Sequence, residues 1–302
     1  MQELLSLEFR IFILIAVGFL VRRLDIVGKQ GEKNITDLVL LVILPCNIFC
    51  SFNAKISTEM LANCMWVFGI SVVIQIAAVV YGRVAFRQAT DAQRRNLAYA
   101  MICSNAGFLG NPMAEGIYGA AGLMLASIYL IPQRVMMWSE GLAIYSGNSD
   151  PRVAAKKVLT HPCVIACALG ITVMLAGVTV PKPILAPIET LARCNTAMSM
   201  MVIGMILAEI DPHKLVDRTV ARYTIHRLVV FPLGVFLVCR LLPVDNVVRG
   251  ISVLLAAMPA GATTTMLASK YDQDPRFATK LVVFSTLCSV PAIIFWSMLL
   301  HA

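Results

Sequence analysis

The sequence predicts an all-α polytopic membrane protein with ten transmembrane helices, arranged as two inverted five-helix repeats. Three observations support this prediction: the composition, the number of apolar runs, and a pair of interrupted runs at equivalent places in the two halves. Hydrophobic residues make up 59% of the 302 residues and charged residues 14%, against roughly 45–50% and about 25% in soluble domains. The mean hydropathy is +0.80. Ten spans of about 20 residues leave no room for a soluble catalytic domain.

Ten apolar runs, each bounded by charged or turn residues, follow one another along the chain. They are Leu4–Val21, Leu38–Phe52, Met60–Tyr81, Asn96–Gly119, Leu123–Tyr145, Leu159–Val180, Pro183–Ala208, Tyr223–Leu242, Val247–Lys270 and Phe277–Leu300. Their helical amphipathicity is weak, as expected for helices that contact lipid on one side and protein on the other. The prediction therefore divides the chain into a first repeat over 1–146, a cytoplasmic linker over 147–157 and a second repeat over 158–302.

Basic residues are distributed unevenly between alternate loops. Eighteen Lys and Arg residues fall in one set of loops, Lys214 and Arg227 among them, and five fall in the other set, including Lys55. By the positive-inside rule the richer set is cytoplasmic, so both termini are predicted on the non-cytoplasmic side. The net charge of +8 is spread over five loops and does not predict a nucleic-acid partner. The nine cysteines, mostly within apolar runs, do not predict a disulfide framework.

The fourth span of each half carries helix-breaking residues near its middle. The first half has Ser104–Met113 and the second has Met258–Thr265, and Pro112 and Pro259 are 147 residues apart. Proline and glycine at this depth free backbone groups that need partners in protein or in a water-filled cavity. One interpretation is an ordinary proline kink. The other is a discontinuous helix whose half-helix ends face a substrate, and the equivalent placement in inverted halves favours it.

Segments from both halves carry a resemblance to a known family. They are Leu44–Phe49, Asn105–Pro112, Met258–Gly261, Tyr271–Asp274 and Ser285–Ser289. On these segments the chain resembles the auxin efflux carrier family, bacterial relatives of plant PIN-type carriers that include malonate and malate permeases. The resemblance implies a fold related to the bile-acid/sodium symporters, with broken, crossed helices 4 and 9. It also implies a scaffold of spans 1, 2, 6 and 7, a transport domain of spans 3–5 and 8–10, and dimerisation through the scaffold.

The candidate substrate-binding residues surround the two predicted breaks or face them from other spans. They are Asn105, Gly110, Asn111, Pro112, Pro259, Gly261, Thr263 and Thr264, with Asn47 from the scaffold and Arg134 from the fifth span. Amide and hydroxyl groups, together with freed backbone N–H groups, are expected to coordinate the substrate, and helix N-termini there favour an anion. The alternative for a threonine is a hydroxyl that bonds back to its own helix.

Arg134 lies in the middle of the fifth span, where a cation costs about 2.5–3.5 kcal/mol on insertion scales. It therefore needs a partner or a wet cavity. One interpretation makes it the counter-ion of a carboxylate substrate. The other makes it half of an internal ion pair with Glu115 or Glu140 that fixes helix packing. The same two acids are the candidate proton carriers if transport is coupled to protons.

The sequence contains no motif of an enzyme or of an ATP-driven pump. We find no Gly-x-Ser-x-Gly, no His-Glu-x-x-His, no phosphate loop and no Cys/His metal spacing. No catalytic residue, cofactor or metal is predicted. The leading hypothesis is a secondary transporter that moves small organic anions by an elevator-type alternating-access mechanism. The alternatives are a sodium- or proton-coupled exchanger on the same fold and a non-transporting membrane receptor. Short loops favour the bacterial inner membrane.

Overall fold

The computed structural model describes residues 2–53, 57–146, 151–208 and 217–301. Lys55, Lys214 and residues 147–150 of the predicted linker lie outside these ranges. The α-helices are α1 (Gln2–Arg23), α2 (Lys29–Leu38), α3 (Leu44–Ser51), α4 (Thr58–Ala85), α5 (Asp91–Ile102), α6 (Asn111–Trp138), α7 (Glu140–Ser146), α8 (Pro151–Leu159), α9 (Pro162–Leu175), α10 (Lys182–Arg193), α11 (Asn195–Ala208), α12 (Arg218–Ile225), α13 (Phe231–Leu241), α14 (Asn246–Ala256), α15 (Thr263–Lys270) and α16 (Pro275–His301). Within these ranges three π-helical turns, π1 (Val39–Ile43), π2 (Ala106–Gly110) and π3 (His226–Val230), precede α3, α6 and α13.

Six helical stretches within the described ranges are long and apolar enough to cross a membrane. They are Lys29–Ser51, Thr58–Ala85, Ala106–Ser146, Lys182–Ala208, Arg218–Leu241 and Pro275–Leu300. The apolar helices Pro162–Leu175 and Asn246–Ala256 are shorter. The described chain contains helices and no strand, which confirms an all-α membrane protein. The number ten and the inverted repeat stay predictions, since the fourth and ninth predicted spans are interrupted and do not form continuous helices.

Gly119 divides the longest of these stretches. Its φ of 66° lies in the region that glycine adopts without steric cost, and the backbone bends there inside α6. This residue is where the sequence predicts the end of the fourth span. The helical residues on either side of Gly119 therefore correspond to the end of the fourth predicted span and to the fifth.

Each π-helical turn is followed by a proline at the second position beyond it, namely Pro45, Pro112 and Pro232. Proline lacks an N–H group, and its ring displaces the carbonyl four residues earlier. In the third case that carbonyl belongs to Leu228, and it accepts a hydrogen bond of 2.8 Å from the indole N–H of Trp296. A backbone group freed by proline is thus paired inside the protein, as a membrane interior requires.

The helices pack into two compact units. The first comprises Met1–Leu61, Asn111–Ser127 and Thr160–Ile210, and the second comprises Ala62–Gly110, Ile128–Leu159 and Asp211–Ala302. In the first unit α1 packs closely on α11, because a Cβ on Gly18 would lie 2.0 Å from the carbonyl oxygen of Met201, and one on Gly204 would lie 1.9 Å from that of Ile15. The fourth and fifth predicted spans are divided between the units. The grouping into scaffold and transport domain stays a prediction.

Candidate functional site

The fourth predicted span is interrupted at Cys103–Asn105. Helix α5 ends at Ile102, and helical structure resumes at Ala106 with the turn π2. This interruption is narrower than the run of helix-breaking residues in the sequence. Asn111 and Pro112 lie beyond it, at the start of α6, because proline is tolerated in a first helical turn and π2 absorbs its effect on the preceding carbonyl.

The ninth predicted span is interrupted between Ala256, the last residue of α14, and Thr263, the first residue of α15. Pro259 lies inside this gap. Thr264 follows as the second residue of the half-helix, and its N–H donates to the carbonyl of Gly261 at 3.0 Å. Each interruption therefore separates two helical pieces and exposes unpaired backbone groups at their ends.

The two interruptions cross each other and pair through their backbones. The N–H of Asn105 donates to the carbonyl of Pro259 at 2.8 Å, and the N–H of Gly261 donates to the carbonyl of Cys103 at 2.9 Å. Ser104 and Ala260 face each other between these bonds as an isolated antiparallel bridge. Backbone groups that one break frees are satisfied by the other break. We call this element the crossing, defined by residues 103–105 and 259–261.

Side chains from two further helices hold the crossing in place. Gln133 of α6 donates to the carbonyl of Ser104 at 2.8 Å, and its amide oxygen accepts from the Ser104 hydroxyl at 3.2 Å. The Ser285 hydroxyl of α16 accepts from the N–H of Ala260 at 3.1 Å. The first segment of the crossing is thus supported by α6, and the second segment is supported by α16. Each of these long helices follows the interruption that it supports.

Two glycines among the candidate site residues lie in close contact with neighbours. A Cβ on Gly261 would lie 3.0 Å from the carbonyl oxygen of Cys103, and one on Gly110 would lie 2.6 Å from Cδ2 of Leu255. At Gly261 the neighbour is backbone, so a side chain there would press the two segments of the crossing apart. At Gly110 the neighbour is the end of a leucine side chain, which would have to move.

Arg227 is the functional-site residue that the sequence reasoning missed. It was assigned to a cytoplasmic loop, and this assignment is wrong: it lies in π3, is 3% exposed, and donates to the carbonyls of Met101 at 3.0 Å and Met258 at 2.8 Å. It therefore joins the helix before one break to the backbone before the other. The sequence does indicate a buried position for Arg227, because this residue lies four residues inside the span predicted to start at Tyr223. Without it the loop count becomes seventeen against five, so the predicted orientation is unchanged.

Arg134 lies beside the crossing without a partner. It is 8% exposed, and its side chain makes no hydrogen bond or ion pair within the described ranges. A Cβ on Gly107, in the first turn after the break, would lie 3.7 Å from Nη2 of Arg134. The acids suggested as its partners are engaged elsewhere: Glu140 pairs with Arg83, and Glu115 accepts a hydrogen bond from Asn47.

The other polar residues at the crossing divide into bound and free groups. The Thr263 hydroxyl donates to Sγ of Cys103 at 3.7 Å. The Thr264 side chain is fully buried, and its hydroxyl has no hydrogen-bond partner within the described ranges. The side-chain amide of Asn105 is half-buried and also makes no hydrogen bond there. Polar groups without partners are uncommon inside proteins, so each of these two needs a partner from outside the fold, such as water, an ion or a ligand.

The first unit holds its own polar cluster. The amide of Asn47 donates to Oε2 of Glu115 at 2.8 Å, and Thr196 lies close enough to act on the same carboxyl group. Asn111 lies one helical turn before Glu115 on the same helix face. Its side chain is fully buried, and neither its amide oxygen nor its amide nitrogen has a partner within the described ranges.

The electrostatic character of the crossing is positive. The guanidinium groups of Arg134 and Arg227 are both close enough to Cys103 to act on its thiol electrostatically. No carboxylate within the described ranges forms an ion pair with either arginine. The half-helix that begins at Ala106 adds the partial positive charge of its N-terminus. Such a site is suited to bind a carboxylate, and the described residues contain no group of three His, Cys, Asp or Glu side chains that could hold a metal.

Comparison with known proteins gives matches over nearly the whole chain. The family described as membrane transport protein matches residues 7–154 and 151–297. An uncharacterized transporter of Methanothermobacter thermautotrophicus is 26% identical over 302 residues, covering 96% of both chains. An uncharacterized transporter of Methanocaldococcus jannaschii is 22% identical over 299 residues, again covering 96% of both. The uncharacterized transporter YfdV of Escherichia coli K12 is 23% identical, covering 95% of this chain and 94% of its own.

Proposed function

The chain belongs to the auxin efflux carrier family of membrane transport proteins, and from that premise we propose that it is a secondary active transporter of small organic anions. The substrates are carboxylates or amphipathic weak acids. One observation carries the proposal: Arg134 is a buried cation beside the crossing, and its N–H donors have no partner within the described ranges. A substrate carboxylate would supply the missing counter-charge, and an Arg–carboxylate pair is strong because it is charged and bidentate.

The substrate site takes its donors from three sources. The guanidinium of Arg134 supplies the positive charge that pairs with the substrate carboxylate. The N–H groups of the turn that begins at Ala106 supply backbone donors to it, and the half-buried amide of Asn105 orients the substrate. Thr263 and Thr264 supply hydroxyls from the second half-helix. Gln133, which is fixed on Ser104, holds the α6 backbone next to Arg134 and so limits how far that side chain can shift.

The transport movement proposed for this site is an elevator-type alternating access of the crossing past a scaffold, within a ten-span inverted repeat. The backbone hydrogen bonds at the crossing support this movement. Because they join the two interrupted spans, both spans have to move together as one body. Inverted repeats with paired discontinuous helices are an architecture of secondary transporters. A bacterial inner membrane, with both termini outside the cytoplasm, completes the proposal.

In this proposal Glu115 couples substrate transport to the movement of a proton. Its carboxyl group accepts a hydrogen bond from the neutral amide of Asn47 and lies near Thr196, and no Lys or Arg within the described ranges pairs with it. A carboxyl group without a permanent counter-ion can take up and release a proton. The same oxygen-rich cluster favours a second candidate, coupling to a sodium ion, because a carboxylate, amide and hydroxyl oxygens are ligands for hard cations.

The test is uptake of radiolabelled malonate and malate into proteoliposomes, with and without an inward proton gradient and with and without external sodium. We expect accumulation in the wild type and its loss in Arg134→Gln. Arg240→Gln, at an exposed position on α13, is the matched control and should transport normally. Glu115→Gln should abolish stimulation by the gradient while exchange of substrate for substrate continues.

Each result separates one claim from another. Binding of either acid without accumulation in any gradient would replace the carrier with a receptor. Accumulation that survives in Arg134→Gln would keep the carrier and remove the assigned counter-ion. Stimulation by sodium rather than by protons, lost in Glu115→Gln, would select the second coupling mode.

A further inference from the structure

A long apolar groove runs between α4 and α13 in the second unit, away from the crossing. Its volume is about 800 Å³, and its lining includes Trp66, Val73, Tyr81, Val235 and Val238. Two glycines, Gly69 and Gly234, also line the groove, and a Cβ on either would meet nothing within 4 Å. From Trp66 to Tyr81 the groove follows α4 for roughly 22 Å at 1.5 Å per residue. That exceeds the hydrocarbon depth of one leaflet, about 15 Å.

A basic pocket lies between the turn that follows α4 and helix α12, which continues through π3 into α13. Its volume is about 400 Å³, and it is lined by Phe86, Gln88, Ala89, Arg218, Thr219 and Arg222. Both arginines are exposed, and neither forms an ion pair within the described ranges. One Nη of Arg222 donates to the carbonyl of Ala85 at 3.1 Å, which fixes its guanidinium at the end of α4.

An aromatic chain links the groove to the pocket. Tyr81, at the end of the groove, hydrogen-bonds His226, and their ring centroids are 5.7 Å apart. The ring centroid of His226 lies 5.6 Å from that of Phe86, which lines the pocket. The groove and the pocket are therefore neighbouring cavities joined by packed aromatic rings. Together they form a surface that is apolar along the membrane-spanning part and basic at its edge.

We propose that this surface binds an anionic phospholipid, with one acyl chain in the groove and its phosphate at Arg218 and Arg222. The length and apolar lining of the groove match an acyl chain. The pocket supplies two cations where a headgroup would lie, and basic pockets between transmembrane helices on the predicted cytoplasmic side recognise acidic headgroups. The proposal does not rest on the identity of the transported substrate.

The reporter for this site is Trp66, one of three tryptophans in the chain and 40% exposed in the groove. The wild type is reconstituted in phosphatidylcholine vesicles that contain increasing fractions of phosphatidylglycerol or phosphatidylcholine with brominated acyl chains. Bromine quenches a nearby indole. The quenching that remains in Trp66→Phe measures the other two tryptophans and is subtracted.

We expect phosphatidylglycerol to quench Trp66 with a roughly thirtyfold preference over phosphatidylcholine, given two arginines at the headgroup. The double variant Arg218→Gln/Arg222→Gln should lose the preference, and Arg240→Gln, at the other end of α13, should keep it. Gly234→Leu fills the groove and should lose the preference too. Val229→Leu, at an exposed position outside the groove, is its matched control.

Three results would overturn the proposal. Equal quenching by both lipids in the wild type would mean that the headgroup is not recognised. A preference that survives in Arg218→Gln/Arg222→Gln, or that falls equally in Arg240→Gln, would assign it to general surface charge. Weak quenching of Trp66 by either lipid would show that the groove is covered by protein, such as a second copy of the chain.

Discussion

Two buried arginines near the same crossing have opposite surroundings. Arg227 donates from Nε and Nη1 to two backbone carbonyls, which tie it to both interrupted helices. Arg134 is nearly as buried, yet its donors have no partner within the described ranges. The difference indicates that burial alone does not identify a ligand site. A buried cation that the fold already satisfies stabilises structure, and one that the fold leaves unsatisfied is available for a ligand.

The largest expected effect is that of Arg227→Gln on folding. Losing two hydrogen bonds from a charged donor, each worth about 1.5–3 kcal/mol, leaves the carbonyls of Met101 and Met258 without their buried partner. We expect purification of Arg227→Gln to yield little monodisperse protein. Thermal denaturation of the recovered protein should show a strongly lowered midpoint. Arg240→Gln is the control for loss of an exposed arginine. A wild-type midpoint in Arg227→Gln would remove the distinction between the two sites.

Arg134→Gln should behave in the opposite way. Replacing an unpaired buried cation with a neutral amide is expected to leave the midpoint of the unliganded protein unchanged or slightly higher. The rise in thermal midpoint that malonate or malate produces in the wild type should disappear in this variant. The reason is that substrate affinity falls about ten- to hundredfold with the loss of a charged hydrogen bond. Thermal denaturation with and without substrate measures both effects. A large destabilisation without substrate would assign Arg134 to packing.

Gly261→Ala should weaken the crossing by about 1–3 kcal/mol, because its Cβ would press on the carbonyl oxygen of Cys103. Both transport and stability should fall, since the crossing holds the site and the interrupted helices together. Gly69→Ala is the matched control, at a position with nothing within 4 Å of the added carbon. Equal stability of the two variants would contradict the close approach at Gly261.

An effect no larger than that of Gly261→Ala is expected for Ser285→Ala, which leaves the N–H of Ala260 without its acceptor. The cost of a buried unsatisfied donor is about 1–3 kcal/mol, less where a water molecule can replace the hydroxyl. Transport should be reduced and substrate affinity kept, because Arg134 is untouched. Hydrogen exchange at Ala260 should report the change directly, and unchanged protection of that amide would rule out the role of Ser285.

The sequence was sufficient to predict the helical class, an integral membrane protein, and interruptions around Asn105 and Pro259. At Gly119, where a span is predicted to end, the structure shows a bend in the helix. These features follow from local composition, proline and glycine. The pairing of Asn105 with Pro259, and the position of Arg227 against Met101 and Met258, join residues far apart in the chain. The residue pattern within one segment does not predict which distant residues that segment contacts. Arg227 was misread because charge counting assigns an arginine near a span boundary to the loop.

The crossing also constrains how the chain is made. Asn105 and Pro259, whose backbones bond each other, are 154 residues apart along the chain. At a synthesis rate of about 5–20 residues per second, the first interruption emerges roughly 8–30 seconds before its partner exists. During that interval its backbone groups must be satisfied by water, lipid headgroups or the insertion machinery. The stage of biogenesis most exposed to misassembly is therefore the one between the completion of the two halves.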